Sequence, residues 1–233
     1  MLEVSDIHSF YGGAHILHGL SLKVAEGEVV ALLGRNGAGK STTMKSIMGL
    51  VRPKTGEVRF FGQAITRKPP YVAARLGLGY VPEDRRIFTD LTILENLEVG
   101  WQKPRDGQKE WTAERLFELF PNLAERRHAL GGAMSGGEQQ MLTIARTLMG
   151  NPKLVLLDEP SEGISPLIVE QMAFAIAKLK QEGLSILLSE QNVHFAKLIS
   201  DRAYIIQGGR VEFQGTIEEL EQNPALQQEY LVL

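Results

Sequence analysis

The stretch Gly34-Arg35-Asn36-Gly37-Ala38-Gly39-Lys40-Ser41-Thr42 follows an apolar run, Val29–Leu33, and precedes a helix-compatible run over residues 40 to about 49. The pattern G-x-x-x-x-G-K-[ST] between a strand and a helix is typical of a phosphate-binding loop. Its glycines let backbone N–H groups converge on a phosphate, and the helix directs its positive N-terminal end at the same anion. Lys40 is predicted to reach the outer phosphates, and Ser41 to place its hydroxyl on Mg²⁺. A glycine-rich turn without a ligand is the alternative, but the flanking strand and helix favour a site for a nucleoside triphosphate.

The composition is that of an ordinary globular protein, with 43% hydrophobic and 23% charged residues over 233 positions. This length suits one sizeable α/β domain. The net charge of −3 provides no general attraction to nucleic acid, so no nucleic-acid partner is expected. Cysteine is absent, which excludes disulfides and thiolate chemistry. Because there is no run of 18 apolar residues, and residues 1–11 lack the form of a signal peptide, any membrane role is expected to operate through a partner.

Two segments near the N-terminus, residues 1–7 and 16–24, alternate apolar and polar side chains and predict an antiparallel sheet. Tyr11 lies between them. Its ring is either a core aromatic at a strand end or a platform on which a purine base stacks, and the residues alone leave both possibilities open. His15 and His18 form the only close pair of histidines, and with no third ligand nearby they are interpreted as ordinary polar positions.

From residue 82 to about residue 132 the charges increase and the apolar side chains take helical spacing, as at Leu116, Leu119 and Phe120. This segment is predicted to be a helical insertion that interrupts the α/β core. Gly131-Gly132 is predicted to end it.

Ser135-Gly136-Gly137-Glu138 has the spacing of a capping box at the start of a helix. Two glycines beside a helix N-terminus also suit an anion. Since one phosphate-binding loop is already present in the chain, a second phosphate site is more useful when it faces another subunit.

The run Leu154-Val155-Leu156-Leu157-Asp158-Glu159 predicts a buried strand that ends in two carboxylates. Acids at the carboxyl end of a parallel strand lie where α/β sheets bind ligands. Asp158 is therefore predicted to hold Mg²⁺, directly or through a water, and Glu159 to orient or deprotonate a water molecule. Further along, residues 184–188 predict another buried strand, and residues 204–206 and 210–213 predict a hairpin.

Taken together, these motifs resemble the nucleotide-binding subunit of an ATP-binding cassette (ABC) transporter. The most specific of them is Met134-Ser135-Gly136-Gly137-Glu138-Gln139-Gln140, which is similar to the signature motif of that family. The resemblance implies a phosphate-loop NTPase fold of class α/β, with a mixed central sheet, an N-terminal antiparallel β subdomain and an inserted α-helical subdomain. It implies a single ABC domain over residues 1–233, in which 1–82 and 150–233 form the core and about 83–149 the helical signature subdomain.

The resemblance also implies roles for individual residues. ATP and Mg²⁺ are the expected cofactors. Tyr11 stacks on adenine, the loop from Gly34 to Thr42 holds the phosphates and the metal, and Glu159 activates the hydrolytic water, with Lys40 as a further catalytic residue. Two cassettes pair head-to-tail in this family, so that residues 135–138 of one cassette close on the γ-phosphate held by the other.

Three positions depart from the general family pattern. Glu83 stands where a glutamine usually senses Mg²⁺, and its carboxylate suits the metal but repels a close γ-phosphate. Gln191 stands where a histidine usually meets the γ-phosphate, so its amide donates a hydrogen bond there but carries no charge; His194 lies three residues too far along. Ser165 replaces an aspartate that commonly helps to couple the two sites.

With these departures, the runs at residues 82–88, 135–141 and 190–192 together resemble those of the branched-chain (hydrophobic) amino-acid importers. Such importers use two different cassettes, and this chain resembles the one with glutamine in place of the histidine. The implied partners are two polytopic membrane permease subunits, a second cassette in a hetero- or homodimer, and, indirectly, an extracytoplasmic substrate-binding protein. The implied location is the cytoplasmic face of the inner membrane. Importers of urea, amides or aromatic acids are alternatives in the same subfamily. A soluble ABC ATPase acting on ribosomes or DNA, and a small-molecule kinase, are alternatives of other classes.

Overall fold

The computed structural model describes residues 1–105 and 109–231. The strands within these ranges are β1 (Leu2–Tyr11), β2 (Ala14–Val24), β3 (Val29–Leu33), β4 (Thr55–Phe60), β5 (Gln63–Ala64), β6 (Leu78–Val81), β7 (Leu154–Asp158), β8 (Ser185–Glu190), β9 (Arg202–Gln207) and β10 (Arg210–Thr216). The helices are α1 (Lys40–Met48), α2 (Pro70–Leu76), α3 (Ile93–Gly100), α4 (Ala113–Leu119), α5 (Pro121–Glu125), α6 (Gly136–Leu148), α7 (Pro166–Gln181), α8 (Val193–Ile199), α9 (Ile217–Glu221) and α10 (Pro224–Tyr230).

The strands form two sheets. The central sheet has the order β10-β9-β3-β8-β7-β6, with parallel pairs from β9 to β6 and an antiparallel β10 at one edge. The smaller sheet has the antiparallel order β2-β1-β4-β5. The mixed central sheet, the N-terminal antiparallel sheet and the hairpin of β9 and β10 therefore agree with the predicted fold class.

The core has two parts because the central sheet is covered on both faces. Alternate residues of β3 divide between them: Val30 and Leu32 pack with the smaller sheet and α1, whereas Val29, Ala31 and Leu33 pack with the helical side. A parallel strand that is buried on both faces is apolar throughout. This explains why the run before the phosphate-binding loop shows no alternation.

The segment between β6 and β7 contains α3, α4, α5 and α6. Capping boxes begin α3 at Thr92 and α6 at Ser135, and each pairs the cap with a glutamate three residues later. The buried Asn96 amide donates to the carbonyls of Phe88 and Thr92 at 2.9 Å each. Within the described ranges, no helix combines the length and apolarity required to cross a bilayer.

One strand boundary differs from the sequence prediction, in which the apolar run over residues 76–81 is a single buried strand. Leu76 is the last residue of α2, and β6 begins only at Leu78. Gly77 separates them with φ of +108° and donates its N–H to the Ala73 and Ala74 carbonyls. A left-handed glycine of this kind ends a helix, so an apolar run that continues across it does not remain a single element.

Arg105 and Asn151 hold the loop that leads from α3 toward α4 against α2 and the connection between α6 and β7. The guanidinium of Arg105 donates to the carbonyls of Ala74, Arg75 and Asn151. The side chain of Asn151, which is fully buried, accepts the Trp111 N–H at 2.8 Å and donates to the Gln102 carbonyl at 2.7 Å. Its backbone has φ of +50°, a conformation that asparagine tolerates better than most residues.

We expect Asn151→Ala to lower the free energy of unfolding by about 2–4 kcal/mol, because the buried Trp111 N–H and the Gln102 carbonyl lose their partner and alanine is disfavoured at positive φ. Urea denaturation measures the loss. The matched variant Asn151→Gly removes the same side-chain bonds but relieves the backbone, so its loss should be smaller. A change within about 0.5 kcal/mol of wild type for the alanine variant would show that the anchor contributes nothing.

Candidate functional site

The phosphate-binding loop connects the end of β3 to the start of α1. Gly37 and Gly39 have φ of +79° and +111°, values that residues with a Cβ rarely adopt. Gly39 occupies the N-cap of α1, and no side chain caps the first turn of the helix. Backbone N–H groups of that turn are thus left for a ligand, as predicted for a phosphate site.

Lys40 is buried at the base of this loop. Its Nζ donates to the carbonyls of Gly34 at 2.7 Å and Arg35 at 3.1 Å, and lies 2.9 Å from Oε1 of Glu159. The side chains of Lys40 and Glu159 are only 3% and 6% exposed. The lysine predicted to bind phosphate and the carboxylate predicted to activate water therefore form a buried ion pair.

Asp158 accepts hydrogen bonds from three hydroxyl groups. Ser41 and Ser189 donate to Oδ1 at 3.0 and 2.7 Å, and Tyr80 donates to Oδ2 at 3.0 Å. Burial, followed by the nearby charge of Asp158, raises the pKa of Tyr80 well above its usual range, so this phenol remains a donor. The pair of Ser41 and Asp158 offers the oxygen ligands that Mg²⁺ prefers. Neither Tyr80 nor Ser189 was predicted from the sequence as part of the site.

Gln191 joins the loop to the acidic strand end. Its Nε2 donates to Oδ1 of Asn36 at 2.8 Å and to Oε2 of Glu159 at 2.8 Å. Glu159 itself has φ of +48°, the left-handed region that is unusual for a residue with a side chain. The structure thus brings Asn36, Lys40, Glu159 and Gln191 into one hydrogen-bonded group.

Glu190, which is 2% exposed, connects two segments beside this group. Its carboxylate accepts the backbone N–H of Ser161 at 2.9 Å and those of Gln191 at 3.2 Å and Asn192 at 3.1 Å. Burial raises the pKa of Glu190, although the bonds from Ser161 and Asn192 oppose the shift. The sequence prediction missed this residue because it ended the strand at residue 188.

Glu83 lies on the exposed segment after β6 and forms no hydrogen bond to Ser41 or Asp158. Its charge instead acts on Glu162. Burial, then the charges of Glu159 and Glu83, raise the pKa of Glu162. The structure therefore places the predicted metal ligand Glu83 among carboxylates next to the site, not within the hydroxyl cluster around Asp158.

The signature residues begin α6. Ser135 and Glu138 cap each other, and the Glu138 carboxylate also pairs with Arg126 at 3.1 Å. The guanidinium of Arg85 covers Gly136 so closely that a Cβ there would lie 2.6 Å from it. In the described ranges, no hydrogen bond or ion pair connects residues 135–138 to the phosphate-binding loop. Within one chain, the two predicted phosphate sites are thus not joined.

The N-terminal sheet presents Tyr11 and three histidines. Tyr11 ends β1 with 47% of its surface exposed, beside the two-residue turn of Gly12 and Gly13. His15 contacts His18 with ring centroids 3.8 Å apart, and its Nε2 lies 3.1 Å from Nδ1 of His8. The sequence expectation of a single histidine pair was therefore incomplete. No group of three ligand side chains able to hold a metal occurs among residues 1–105 and 109–231.

The site geometry is matched by family-level similarity. The ABC transporter family profile matches residues 17–162. The chain belongs to the ABC transporter family. It is 40% identical to the high-affinity branched-chain amino acid transport ATP-binding protein BraG of Pseudomonas aeruginosa, with 99% of each chain covered. It is 37% identical to the probable branched-chain amino acid transport ATP-binding protein LivF of Archaeoglobus fulgidus, with 94% of each chain covered. It is also 36% identical to the lipopolysaccharide export protein LptB of Haemophilus influenzae, covering 99% of this chain and 97% of the relative.

Solved structures show the same ABC cassette fold. A nucleotide-free ATP-binding cassette of an ABC transporter superimposes with a TM-score of 0.82 at 27% identity, covering 96% of this chain and 94% of that one. A cassette in its ADP conformation gives a TM-score of 0.81 at 28% identity, with coverages of 96% and 93%. The family and fold expected from the sequence are confirmed. This cassette is the ATP-binding subunit of a transporter, and its ATPase activity is coupled to transport.

The raised pKa of Glu190 predicts a pH dependence of stability. Because the folded pKa lies above the unfolded value of 4.5, the folded state binds the proton more tightly. The contribution of the Glu190 carboxyl to stability is complete below pH 4.5 and is lost as the pH rises through the folded pKa. The unfolding free energy of wild type minus that of Glu190→Gln should therefore be larger at pH 5 than at pH 8 in urea titrations.

The same substitution at Glu26, which is exposed, provides the matched control for a glutamate-to-glutamine change on this chain. If the difference in unfolding free energy between wild type and Glu190→Gln does not change with pH, or increases with pH, it would contradict the effect of burial on the Glu190 pKa.

Proposed function

We propose that this cassette is the ATP-hydrolysing subunit of an importer for branched-chain or other hydrophobic amino acids. The chemistry rests on one observation: Lys40, Asp158, Glu159 and Gln191, which come from three separate parts of the chain, meet at one hydrogen-bonded site. Lys40 and Gln191 both contact the Glu159 carboxylate. The Ser189 hydroxyl joins Asp158 to the Glu159 N–H. The cargo is suggested by the full-length similarity to BraG and LivF, whose names specify branched-chain amino acids.

ATP occupies the loop from Gly34 to Thr42, with adenine against the exposed ring of Tyr11. Ser41 and Asp158 would hold Mg²⁺, which would supply positive charge beside the phosphates. Lys40 exchanges its partner Glu159 for the outer phosphates, and this exchange frees the carboxylate. Glu159 then takes a proton from the water that attacks the γ-phosphorus, and the products are ADP and phosphate. Gln191, which already contacts both Glu159 and Asn36, donates a neutral hydrogen bond at this point.

Hydrolysis in this proposal requires two cassettes. We infer from the family resemblance that residues 135–138 serve the nucleotide of a partner cassette, and in the described ranges they form no hydrogen bond or ion pair with the phosphate-binding loop of their own chain. Residues 83 to about 149 form the helical subdomain that carries this signature, and residues 1–82 and 150–233 form the core. Closure of the pair on ATP changes the angle between these units, and hydrolysis reverses it.

The surface from Glu83 to Phe88 is proposed to receive a membrane permease. A cavity of about 280 Å³ opens there, lined in part by Glu83, Arg86 and Ile87. Arg86 also lines a neighbouring groove of about 410 Å³, together with Arg146. Phe88 is 48% exposed, and the Arg146 guanidinium lies 5.1 Å from its ring centroid. An exposed aromatic flanked by arginines suits a short amphipathic helix with an acidic end. In the complete importer, two permeases hold the cassettes at the cytoplasmic membrane face, and a binding protein delivers the cargo outside.

Glu159→Gln should lower the rate of ATP hydrolysis by about 10²–10⁴-fold, because the amide cannot accept the proton from water. ATP binding should persist, and the variant should accumulate as an ATP-bound dimer. Phosphate release and size-exclusion chromatography with ATP measure the two effects. Hydrolysis at the wild-type rate would remove Glu159 from the role of proton acceptor.

Lys40→Ala should weaken ATP binding by about 10- to 100-fold, because a charged contact to phosphate is lost. Isothermal titration with ATP measures the affinity, and thermal unfolding in parallel tests whether the unpaired Glu159 destabilises the fold. Unchanged affinity would contradict the assignment of the phosphate-binding loop.

The cargo is tested in the native host. A strain lacking the gene should lose uptake of labelled leucine, isoleucine and valine, and wild-type protein but not Glu159→Gln should restore it. Detergent extraction of tagged protein should recover two permeases and a second cassette. Normal uptake together with a defect in surface lipopolysaccharide would instead favour export, as performed by the LptB relatives.

A further inference from the structure

Ser189 is a buried hydroxyl that contacts both acidic residues of the site. It lies on β8 with no exposed surface, and its backbone pairs in parallel register with Asp158 of β7. Its Oγ donates to Oδ1 of Asp158 at 2.7 Å and accepts the backbone N–H of Glu159 at 3.1 Å. A hydroxyl has one proton and two lone pairs, so both bonds form at once.

The bond to Glu159 supports a strained backbone. Glu159 adopts φ of +48°, which is about 1–2 kcal/mol less favourable than an ordinary conformation for a residue with a Cβ. Its N–H is also held by the Ser189 carbonyl at 3.1 Å, so the hydroxyl and the carbonyl of one residue share this donor. The direction of the Glu159 side chain follows from this backbone conformation.

The other two hydroxyls on Asp158 act differently. Ser41 belongs to the phosphate-binding loop, and its hydroxyl is needed by the metal in the proposed mechanism. The Tyr80 hydroxyl donates to Asp158 and, within residues 1–105 and 109–231, forms no hydrogen bond with Glu159. Ser189 is therefore the hydroxyl that fixes the position of Asp158 relative to Glu159 whether or not the loop is occupied.

We propose that Ser189 is a positioning residue for ATP hydrolysis: its hydroxyl holds the Asp158 carboxylate and the Glu159 backbone in one geometry, so that the Glu159 carboxylate stays aimed at the attacking water. The inference rests on the roles proposed above for Asp158 and Glu159. It predicts an effect on the hydrolytic step and not on nucleotide binding, because Ser189 is not part of the phosphate-binding loop.

The test is single-turnover hydrolysis by the full-length chain in its two-cassette assembly, combined with ATP titration. Ser189→Ala should lower the hydrolysis rate about tenfold or more, which corresponds to about 1.4 kcal/mol or more. Its ATP affinity should stay within about twofold of wild type. Ser189→Thr, which retains the hydroxyl, should recover most of the rate.

Ser185→Ala is the matched control. Ser185 lies on the same strand with no exposed surface, but at the opposite end of β8 from Ser189. Its Oγ accepts the Gly27 N–H at 2.8 Å. Both alanine variants should lose comparable thermal stability, and only Ser189→Ala should lose hydrolysis. Equal rates for the two variants, or a parallel loss of affinity and rate in Ser189→Ala, would overturn the proposal.

If Glu159→Gln is inactive while Ser189→Ala is normal, this inference fails alone; if Glu159→Gln hydrolyses normally, the proposed function of the site fails.

Discussion

The ion pair between Lys40 and Glu159 joins the two halves of the site. Removing both charges from water is costly, and their attraction offsets this cost only when the remaining donors are satisfied. Lys40 meets that condition through the carbonyls of Gly34 and Arg35, and Glu159 through the amide of Gln191. The pair consists of the two groups that the proposed mechanism assigns to phosphate and to water. In that proposal a triphosphate would replace Glu159 as the anionic partner of Lys40, so binding of nucleotide and release of the carboxylate would be one event.

The order of strands makes this junction possible. Strand β8 lies between β3, which leads into the phosphate-binding loop, and β7, which ends at Asp158. Residues that follow β8 therefore reach both neighbours: Gln191 contacts Asn36 on one side and Glu159 on the other. Ser189 and Glu190 precede it and bind the backbone of Glu159 and Ser161. Strand β8 is therefore the physical link between the phosphate-binding loop and the strand end that carries Asp158 and Glu159.

The helical segment packs on this core through apolar side chains and is also held by a few polar contacts. Asn151 and Arg105 fasten the loop after α3, and the Arg85 side chain covers the start of α6. Thr143 on α6 also donates to the Arg85 carbonyl at 2.9 Å. Arg85 lies only four residues beyond Val81, the end of β6. The segment after β6 is therefore in direct contact with the signature helix.

Features that depend on neighbouring residues were determined by the sequence itself. The phosphate-binding loop, the capping box at Ser135 and the buried strand Val29–Leu33 were predicted because glycine conformation, caps and apolar runs act over a few residues. Tertiary structure alone decided the contacts of Tyr80, Ser189 and Glu190, which lie between 29 and 78 positions from their partners Asp158 and Ser161. It also added His8 to the pair of His15 and His18 across β1 and β2. Such contacts follow from the register and order of strands, and a hydroxyl or carboxylate at a strand end has no local pattern that reveals which strand will lie beside it.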